Sequence, residues 1–319
     1  MVRAWLAAAF IFAACASAAA QSFPTKPIRF VLPFGPGGIA DITARLLAQK
    51  MSDNLGQQVL VENRPGAGMV VSATAAMQSP ADGYTMLLGG NGTAISQTLF
   101  KSLPYSILND FTQVSTLSFF DLVLIAGPNS RFRSVAEVLA YARDNPGKLN
   151  LGTVSVGSTQ NLAAELLKSQ AGIDVQIVPY KATPDLILAV RSQTLDLAFE
   201  VLPAVISQVR SNSVKVLGIA SAKRSTLLPD IPTIAEGGVA GYQAYSWNGV
   251  NVRASTPRPL VQRLSKEIVA ALAAPDVQQK MRELGAEARG STPEETREFM
   301  TAEIAKWKAV IENARIPQQ

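Results

Sequence analysis

The sequence predicts an α/β fold of two lobes, and three observations support this. Short β-type runs alternate with helical patterns along almost the whole chain, which is typical of parallel sheets covered by helices on both faces. About 300 residues remain after a predicted signal segment, more than one hydrophobic core usually holds. Two apolar stretches, Phe119–Pro128 and Tyr245–Arg253, are suited to carry the chain into a second lobe and back. A cleft between two such lobes is the natural place for a ligand.

Residues 1–20 have the order of a secretory signal segment. Arg3 gives a positive start, Trp5–Ala14 forms an apolar run too short to span a bilayer, and three small residues then offer a cleavage site. The mature chain is therefore predicted to begin near Gln21, outside the cytoplasm. Lipid attachment at Cys15 is the less favoured alternative, because phenylalanine stands three positions before it where leucine is usual.

The predicted strands and helices follow in order behind this segment. The candidate strands are Arg29–Leu32, Val59–Glu62, Thr85–Gly89, Leu122–Ala126, Leu149–Gly152, Val175–Pro179, Asp196–Phe199 and Val214–Ile219. The candidate helices are Ile39–Leu55, Met69–Met77, Val135–Asn145, Asn161–Ala171 and Pro184–Ser192, and the last sixty residues are mostly helical. The two crossings divide the mature chain into a discontinuous first lobe, residues 21–124 and 250–319, and a second lobe, residues 125–249. The sequence shows no internal repeat.

The composition removes several common kinds of site. The chain has one cysteine and no histidine, and signal cleavage takes the cysteine away. A disulfide, a thiol nucleophile and a thiolate metal site are then excluded, as are the commonest acid–base and zinc designs. We expect neither a metal nor a cofactor, although an enzyme built on carboxylates, lysine or serine stays open.

The charge balance favours a small anionic partner over a nucleic acid. The chain has 29 basic and 24 acidic residues, and removal of Arg3 leaves 28 against 24, a net charge of +4. The excess is spread along the sequence, with no basic run and no alternation of basic and aromatic residues. A mildly positive protein attracts small anions without being specific for any of them.

The stretch Pro33–Asp41 is the most informative motif, a glycine-rich turn between a predicted strand and a predicted helix. Such a turn exposes backbone N–H groups beside the positive end of the helix dipole, an arrangement that holds anions. Gly35-x-Gly37-x-x-Ala40 also fits a dinucleotide fingerprint, with Glu62 near the position of a ribose-binding acid. Pro36 removes a backbone donor where a pyrophosphate needs one, and no Gly-Lys-Ser or Gly-Lys-Thr of the Walker type follows. A tight structural turn is the remaining alternative.

Several spaced motifs together resemble the Bug family, the periplasmic solute receptors of tripartite tricarboxylate transporters. The resemblance covers essentially the whole mature chain and implies a two-lobed, clamshell periplasmic-binding-protein fold. It further implies a small organic anion, usually a carboxylate, in the cleft, a membrane permease as partner, and a structural role for Glu62. We expect a monomer. The matching segments are Pro33–Asp41, Val61–Gly68, Ala81–Thr85, Gly157-Ser158, Val178–Lys181, Leu228–Thr233 and Thr292–Glu295.

The resemblance implies a ligand site that is shared between the two lobes. Backbone amides near Gly37 and Gly38 are expected to hold one carboxylate, and Asp41 either fixes the loop or simply favours the helix start. The polar segment Gly90–Thr93, which follows the third predicted strand, either contacts the ligand or forms an ordinary glycine-rich turn. The predicted ligand-binding residues are Phe34, Gly37, Gly38, Asp41, Asn91 and Thr93 in the first lobe, and Thr153, Ser155, Gly157, Ser158, Thr159, Gln160, Lys181 and Phe199 in the second.

In the second lobe, a capping hydroxyl at Ser158 or Thr159 opens the helix, and two helix starts, one in each lobe, could clamp a dicarboxylate. The sequence departs from the family pattern at Asn161, where histidine is common, and at Ala182 and Gln193, where glycine is common. Glu200, after a strand end, either receives an amine or hydroxyl or is an ordinary surface or ion-paired glutamate.

Three aromatic residues at the predicted crossings, Phe119, Phe120 and Trp247, either stack on an aromatic ligand or pack the hinge. The sequence therefore favours a periplasmic receptor for a carboxylate, with a dicarboxylate or an aromatic acid preferred. The alternative is a secreted enzyme, either a nucleotide-dependent oxidoreductase or a carboxylate-based hydrolase.

Overall fold

The computed structural model of the chain describes residues 23–66 and 69–319, so the predicted signal segment, its cleavage site and Cys15 lie outside the described residues. The strands are β1 Ile28–Leu32, β2 Val59–Asn63, β3 Thr85–Gly90, β4 Phe111–Ala126, β5 Asn150–Val154, β6 Gln176–Tyr180, β7 Leu197–Val201, β8 Lys215–Ile219, β9 Tyr245–Arg253 and β10 Ala286–Ala288. The helices are α1 Ile39–Leu55, α2 Val70–Met77, α3 Asn91–Leu99, α4 Val135–Asp144, α5 Thr159–Ala171, α6 Thr183–Arg191, α7 Leu202–Arg210, α8 Arg258–Ala273, α9 Pro275–Glu283 and α10 Pro293–Asn313.

Local sequence signals account for the helix ends. Ser134 caps α4 by accepting the Glu137 N–H at 3.2 Å, and the Glu137 carboxylate accepts the Arg133 N–H at 2.7 Å. At the start of α10, Thr292 and Glu295 form a reciprocal pair, in which each side chain accepts the backbone N–H of the other residue. Helix α1 ends at Gly56, whose φ of 64° is the left-handed conformation that glycine adopts without strain.

The strands form one continuous path in the order β2-β1-β3-β9-β4-β7-β5-β6, with β8 and β10 paired to β4. Strands β1, β2 and β3 are mutually parallel, as are β5, β6 and β7, as the sequence predicts. Strands β4 and β9, which contain the two predicted crossings, run antiparallel to their neighbours. The physical reason is that these two strands carry the chain from one half of the path to the other and back.

Strand β4 joins the two halves because it changes partners along its 16 residues. Phe111–Asp121 pairs with β9, and Leu122–Ala126 pairs with β7. The molecule is thus a mixed α/β, two-lobed fold in which each half-sheet meets its neighbour at one long strand. The sequence predicts the apolar character of this segment but not its length.

Helices cover both faces of each half-sheet, so alternate residues of a strand enter different cores. In β1, Phe30 and Leu32 pack with α1 and α8, whereas Val31 packs on the opposite face with α2 and α3. Helix α10 covers this second face and reaches α5 of the other half. One apolar cluster therefore continues across the junction of the two lobes.

The two halves repeat one another in backbone topology. The run β1–α1–β2–α2–β3–α3 and the run β5–α5–β6–α6–β7–α7 have the same element order, and in each the first strand lies between the other two. The sequence does not reveal this repeat, because the repeated property is the geometry and not the residues. It places the starts of α1 and α5 at equivalent positions.

The aromatic residues at the junction pack against one another. Phe119 and Trp247 are 7% and 1% exposed, and both contact the ring of Phe299 from α10. The Glu303 carboxylate accepts N–H bonds from the indole of Trp247 at 3.3 Å and from the indole of Trp307 at 3.0 Å. These contacts tie the C-terminal helix to strand β9. Within the described part of the chain, no helix combines the length and apolar character that crossing a membrane requires.

Candidate functional site

The predicted site residues gather at the carboxyl ends of the parallel strands, where β1 leads into α1 and β5 leads into α5. Ligands of open α/β sheets bind at this edge. In both loops a glycine with positive φ precedes the first helical residues: Gly37 has φ 84° and Gly157 has φ 77°. Each glycine is followed by an extended N-cap residue, Gly38 in the first lobe and Ser158 in the second.

Asp41 fixes the first loop. Its carboxylate accepts the Gly37 N–H at 3.0 Å, the Arg45 guanidinium at 3.0 and 3.1 Å, and the Asn63 side-chain amide at 2.9 Å. Asn63 also donates to the carbonyl oxygen of Phe34 at 2.9 Å, which closes the network on the other side of the loop. Of the two roles predicted for Asp41, the structure therefore shows loop fixation.

The charge of Asp41 is neutralised locally. Burial by itself raises the pKa of this carboxyl, but the hydrogen bonds from Arg45, Gly37 and Asn63 outweigh burial and hold the pKa below its ordinary value. Asp41 is thus ionised at neutral pH and paired with Arg45, which is four residues along α1. The loop then offers no unpaired negative charge to an incoming anion.

The start of α1 keeps its backbone donors open. No side chain within the described residues caps this helix, and Phe34–Gly38 is exposed. The N–H of Gly37 is used by Asp41. The available groups are the N–H of Gly38 and those of the first helical residues, which lack intrahelical partners by geometry.

The second loop has the same geometry with neutral side chains. Asn161 accepts the Gly157 N–H at 3.0 Å through Oδ1 and donates through Nδ2 to Thr153 Oγ1 at 3.3 Å. Ser158 caps α5 by accepting the Asn161 N–H at 3.1 Å. Asn161 therefore holds this loop, as Asp41 holds the first one. One start is capped and the other is open.

The second loop touches α3 of the first lobe directly. Asn91, at the start of α3, donates to Thr159 Oγ1 at 3.2 Å and to the Tyr245 carbonyl at 3.0 Å. A Cβ placed on Gly157 would lie 2.3 Å from Leu99 Cδ2, so the two elements approach closely because residue 157 is glycine. The side-chain oxygen Oδ1 of Asn91 is buried and has no hydrogen-bond partner among the described residues.

Glu200 is a buried carboxylate at the end of β7, only 1% exposed. It accepts bonds from Gln160 Nε2 at 2.7 Å, Thr183 Oγ1 at 2.7 Å and its neighbouring backbone N–H, that of Val201, at 2.8 Å. Neither ordinary alternative for this residue, a surface position or an ion pair, is what the structure shows: within the described part of the chain it forms no ion pair with a lysine or an arginine.

The remaining predicted residues divide by exposure. Phe34, Ser155 and Lys181 are exposed, whereas Thr93, Thr153 and Phe199 are buried. Phe199 lies in the core and stacks on Tyr242 at 6.4 Å between ring centroids. Sequence reasoning missed Arg45, Asn63 and Thr183, which orient the loops and Glu200. The Glu-Asn-Arg segment was the available signal for Asn63, whereas nothing local marks Thr183.

Glu62 makes ion pairs with Arg29 at 2.7 Å and with Arg64. Hydrogen bonding to Arg29 lowers the pKa of the Glu62 carboxyl. Both partners compete with any ribose hydroxyl for this acid, which fits the structural role that the resemblance implies.

A cavity of about 470 Å³ opens beside the junction, between the segments 221–227 and 285–289. Its cationic lining residues are Lys223, Arg224, Arg282 and Arg289, and none of the predicted ligand-binding residues lines it. Arg224 is paired with Glu236 at 3.0 Å, and Arg289 lies over the ring of Phe119 at 3.6 Å. Arg224 and Arg289 thus have partners of their own, and all four cations are exposed on the surface. The two loops remain the better-founded site.

Comparison with known proteins agrees with this geometry. Protein BugT of Bordetella pertussis is 34% identical over 298 residues, which cover 93% of this chain and 91% of BugT. The structure of R. palustris Rpa4515 with adipate superposes with a TM-score of 0.80 at 33% identity, covering 92% of this chain and 99% of that one. MatC (Rpa3494) from Rhodopseudomonas palustris with bound malate gives a TM-score of 0.75 at 29% identity, with 91% and 100% covered.

The family model described as tripartite tricarboxylate transporter family receptor matches residues 43–316. The match spans both lobes and most of the mature chain, and it fits the two-lobed fold and the paired loops described above. This chain belongs to the family of tripartite tricarboxylate transporter receptors.

Proposed function

We propose that this receptor captures a small organic carboxylate between its lobes and delivers it to a membrane permease. The observation that carries the proposal is the open start of α1, where Gly38 is exposed and no side chain among the described residues caps the helix. A helix start of this kind attracts a carboxylate through both hydrogen bonds and the helix dipole. Arg45 removes the repulsion that a bare Asp41 would otherwise exert.

Two relatives support a carboxylate as ligand. Rpa4515 is described with adipate and MatC with bound malate, and both ligands carry carboxylate groups. Each relative is about 30% identical to this chain, so the class of ligand carries over better than the particular acid. The sequence adds aromatic acids as a second group to be tested.

The setting of the proposed function follows from the family and from the N-terminal segment. We place the mature protein, starting near Gln21, in the periplasm, with lipid attachment at Cys15 as the less favoured form. We propose a monomer that binds its ligand and does not convert it, working with permease subunits of the tripartite tricarboxylate type. N-terminal sequencing of the exported protein distinguishes a start at Gln21 from a lipidated start at Cys15.

We further propose that residues 21–124 with 250–319 and residues 125–249 move as two bodies. The Phe119–Pro128 and Tyr245–Arg253 segments would absorb the rotation, since these are the strands that connect the two bodies. Ligand held from both sides favours the closed form. X-ray scattering tests this point: a smaller radius of gyration with ligand supports it, and an unchanged radius with tight binding contradicts it.

A thermal-shift screen with the purified mature chain tests the ligand class. A ligand that binds only the folded state adds about 2.7 kcal/mol of stability at a concentration of about 100 times its Kd. We expect dicarboxylates, hydroxy acids or aromatic acids to raise the melting temperature, and mass spectrometry to recover the bound acid unchanged after long incubation. A shift caused by sugars or nicotinamide nucleotides and by no acid would contradict the proposal, and consumption of the acid would indicate an enzyme.

A further inference from the structure

Glu200 has no cationic partner among the described residues, although a buried carboxylate normally needs one. Its three hydrogen bonds come from Gln160, Thr183 and the backbone of Val201. Gln160 and Thr183 lie in the first turns of α5 and α6. The first turns of these two helices therefore both donate side-chain hydrogen bonds to Glu200.

The hydrogen bonds to Glu200 determine whether the groups around it can still act as donors or as acceptors. Both Glu200 oxygens accept hydrogen bonds, Oε1 from Gln160 and the Val201 N–H and Oε2 from Thr183. Gln160 therefore turns its amide nitrogen towards Glu200 and its amide oxygen away. The hydroxyl group of Thr183 likewise donates its hydrogen bond to Glu200, at 2.7 Å. The Gln160 oxygen and the Thr183 lone pairs are then left as acceptors.

Asn91 adds another acceptor at the contact between the lobes. Its Nδ2 group is used by Thr159 and by the Tyr245 carbonyl, and its Oδ1 atom is buried without a partner among the described residues. A buried acceptor without a donor is uncommon in folded proteins. A donor supplied by a ligand would satisfy it.

Because the two halves share one backbone topology, equivalent positions of the two lobes can be compared directly. The residue two positions before α3 is Gly89, whereas the residue two positions before α7, its counterpart, is Glu200. Strand β3 of the first lobe therefore has no side chain at this position. In the same lobe the start of α1 is open, and Asp41 is paired with Arg45. The second lobe carries a carboxyl group, that of Glu200, without a cationic partner among the described residues, and a capped helix, α5.

We propose that Glu200 makes the second-lobe end of the cleft a site for a hydrogen-bond donor and not for a second carboxylate. The ligand is then an acid whose far end carries an ammonium or hydroxyl group, held by the first lobe at its carboxylate. This inference rests on the proposed carboxylate-binding function and names the class of acid. The sequence alone suggests a clamp on two carboxylates, and the position of Glu200 argues for a different end group.

The first test needs no substitution. Isothermal titration of the mature chain with adipate, 6-hydroxyhexanoate and 6-aminohexanoate compares three acids of one chain length that differ only at the far end. A shorter series, succinate, 4-hydroxybutyrate and 4-aminobutyrate, covers a smaller cleft. We expect the hydroxy or amino acid of the series that fits to bind at least tenfold more tightly than the matching dicarboxylate.

The second test is Glu200→Gln, which removes the charge and lets the Gln160 amide turn its nitrogen to the cleft. The ratio of dicarboxylate affinity to amino-acid affinity should rise on the order of tenfold or more, because the variant removes a repulsion on the dicarboxylate and an attraction on the amino acid. Glu165→Gln is the matched control: it removes one carboxylate from the same helix, α5, away from its start. The control should leave the ratio unchanged.

The outcomes separate this inference from the function on which it rests. If no acid binds the parental protein, the proposed function fails and this inference fails with it. If acids bind but the parental protein prefers the dicarboxylate, this inference alone is wrong. It is also wrong if a folded Glu200→Gln variant, checked by circular dichroism, keeps the parental ratio, or if Glu165→Gln changes the ratio equally.

Discussion

The backbone N–H of Gly37 donates to the carboxylate of Asp41 at 3.0 Å, across the turn that opens the first helix of the cleft. The same relationship joins Gly157 to Asn161 in the second lobe at 3.0 Å. In both lobes a side chain in the first turn of the helix therefore holds the glycine in its left-handed conformation. The two loops share this geometry and differ in charge.

Replacement of Asp41 by asparagine should lower stability in a pH-dependent way. Asparagine has no negative charge to pair with Arg45, so the charge-assisted hydrogen bonds are lost. We expect this loss to lower the free energy of unfolding by about 1–2 kcal/mol at neutral pH. Because the pKa of folded Asp41 is held below 3.8, its contribution is complete above that value and is lost as pH falls through the folded pKa. Urea unfolding of both proteins, from neutral pH to about pH 3, should show the difference shrinking at the acid end. A constant difference would contradict this role.

Replacement of Gly38 by proline should abolish acid binding, whereas Gly38→Ala should preserve it. Gly38 has φ −76°, which proline can adopt, and a Cβ at this position meets nothing within 4 Å. The two variants therefore differ chiefly in the N–H that proline lacks. Titration with an acid that binds the parental protein provides the measurement, with circular dichroism to confirm the fold. Parental affinity in a folded Gly38→Pro protein would remove this N–H from the site.

Replacement of Gly157 by alanine should weaken binding by holding the lobes apart. Its added methyl group would meet Leu99 of α3, and its φ of 77° is strained for alanine. Gly172→Ala is the matched control, because Gly172 also has positive φ, 61°, but has open space around it. Both variants should lose about 1–2 kcal/mol of stability, and only Gly157→Ala should lose affinity, by tenfold or more. Equal affinities would show that this contact does not limit closure.

Replacement of Glu303 by glutamine should destabilise the junction of the lobes. Oε2 of the buried carboxylate accepts both indole N–H groups, and Oε1 accepts from the Lys306 ammonium at 3.5 Å and the Tyr245 hydroxyl at 3.4 Å. A glutamine that keeps its amide oxygen at the indoles turns its NH2 group towards Lys306, which has only donors to offer. We expect a loss of about 1–3 kcal/mol in the free energy of unfolding. Glu312→Gln, which removes an exposed pairing to Lys308 at 3.8 Å, should cost well under 1 kcal/mol. Chemical unfolding followed by tryptophan fluorescence measures both, and similar losses would contradict the role of Glu303.

The sequence predicts the regular elements well where the local signals agree. Helix α1 has the predicted bounds, Ile39–Leu55, because an apolar period and a terminal glycine both mark it. Helix α3 is not predicted, since Gly90-Asn91-Gly92 is typical of a turn. The helix forms there because Thr93 accepts the Gly90 N–H at 3.1 Å and α10 packs on it. Strand β9 is recognised only as an apolar crossing, because its pairing with β3 and β4 is a long-range property.

The candidate site is predictable in its backbone and much less so in its side chains. The glycines at 37 and 157 mark both loops, since only glycine adopts their φ freely. The burial of Glu200 is invisible in the sequence, because its donors Gln160 and Thr183 are distant in the chain and meet it only in the fold. The structural repeat that relates Glu200 to Gly89 is hidden for the same reason.

A crystal structure of the mature chain with an acid that raises its melting temperature tests the central claim most directly. We predict a carboxylate oxygen within about 3.2 Å of the Gly38 backbone nitrogen, at the start of α1, with Asp41 still paired to Arg45. A carboxylate bound instead only at Lys181 in the second lobe, or in the cavity beside Arg282 and Arg289, would contradict the account.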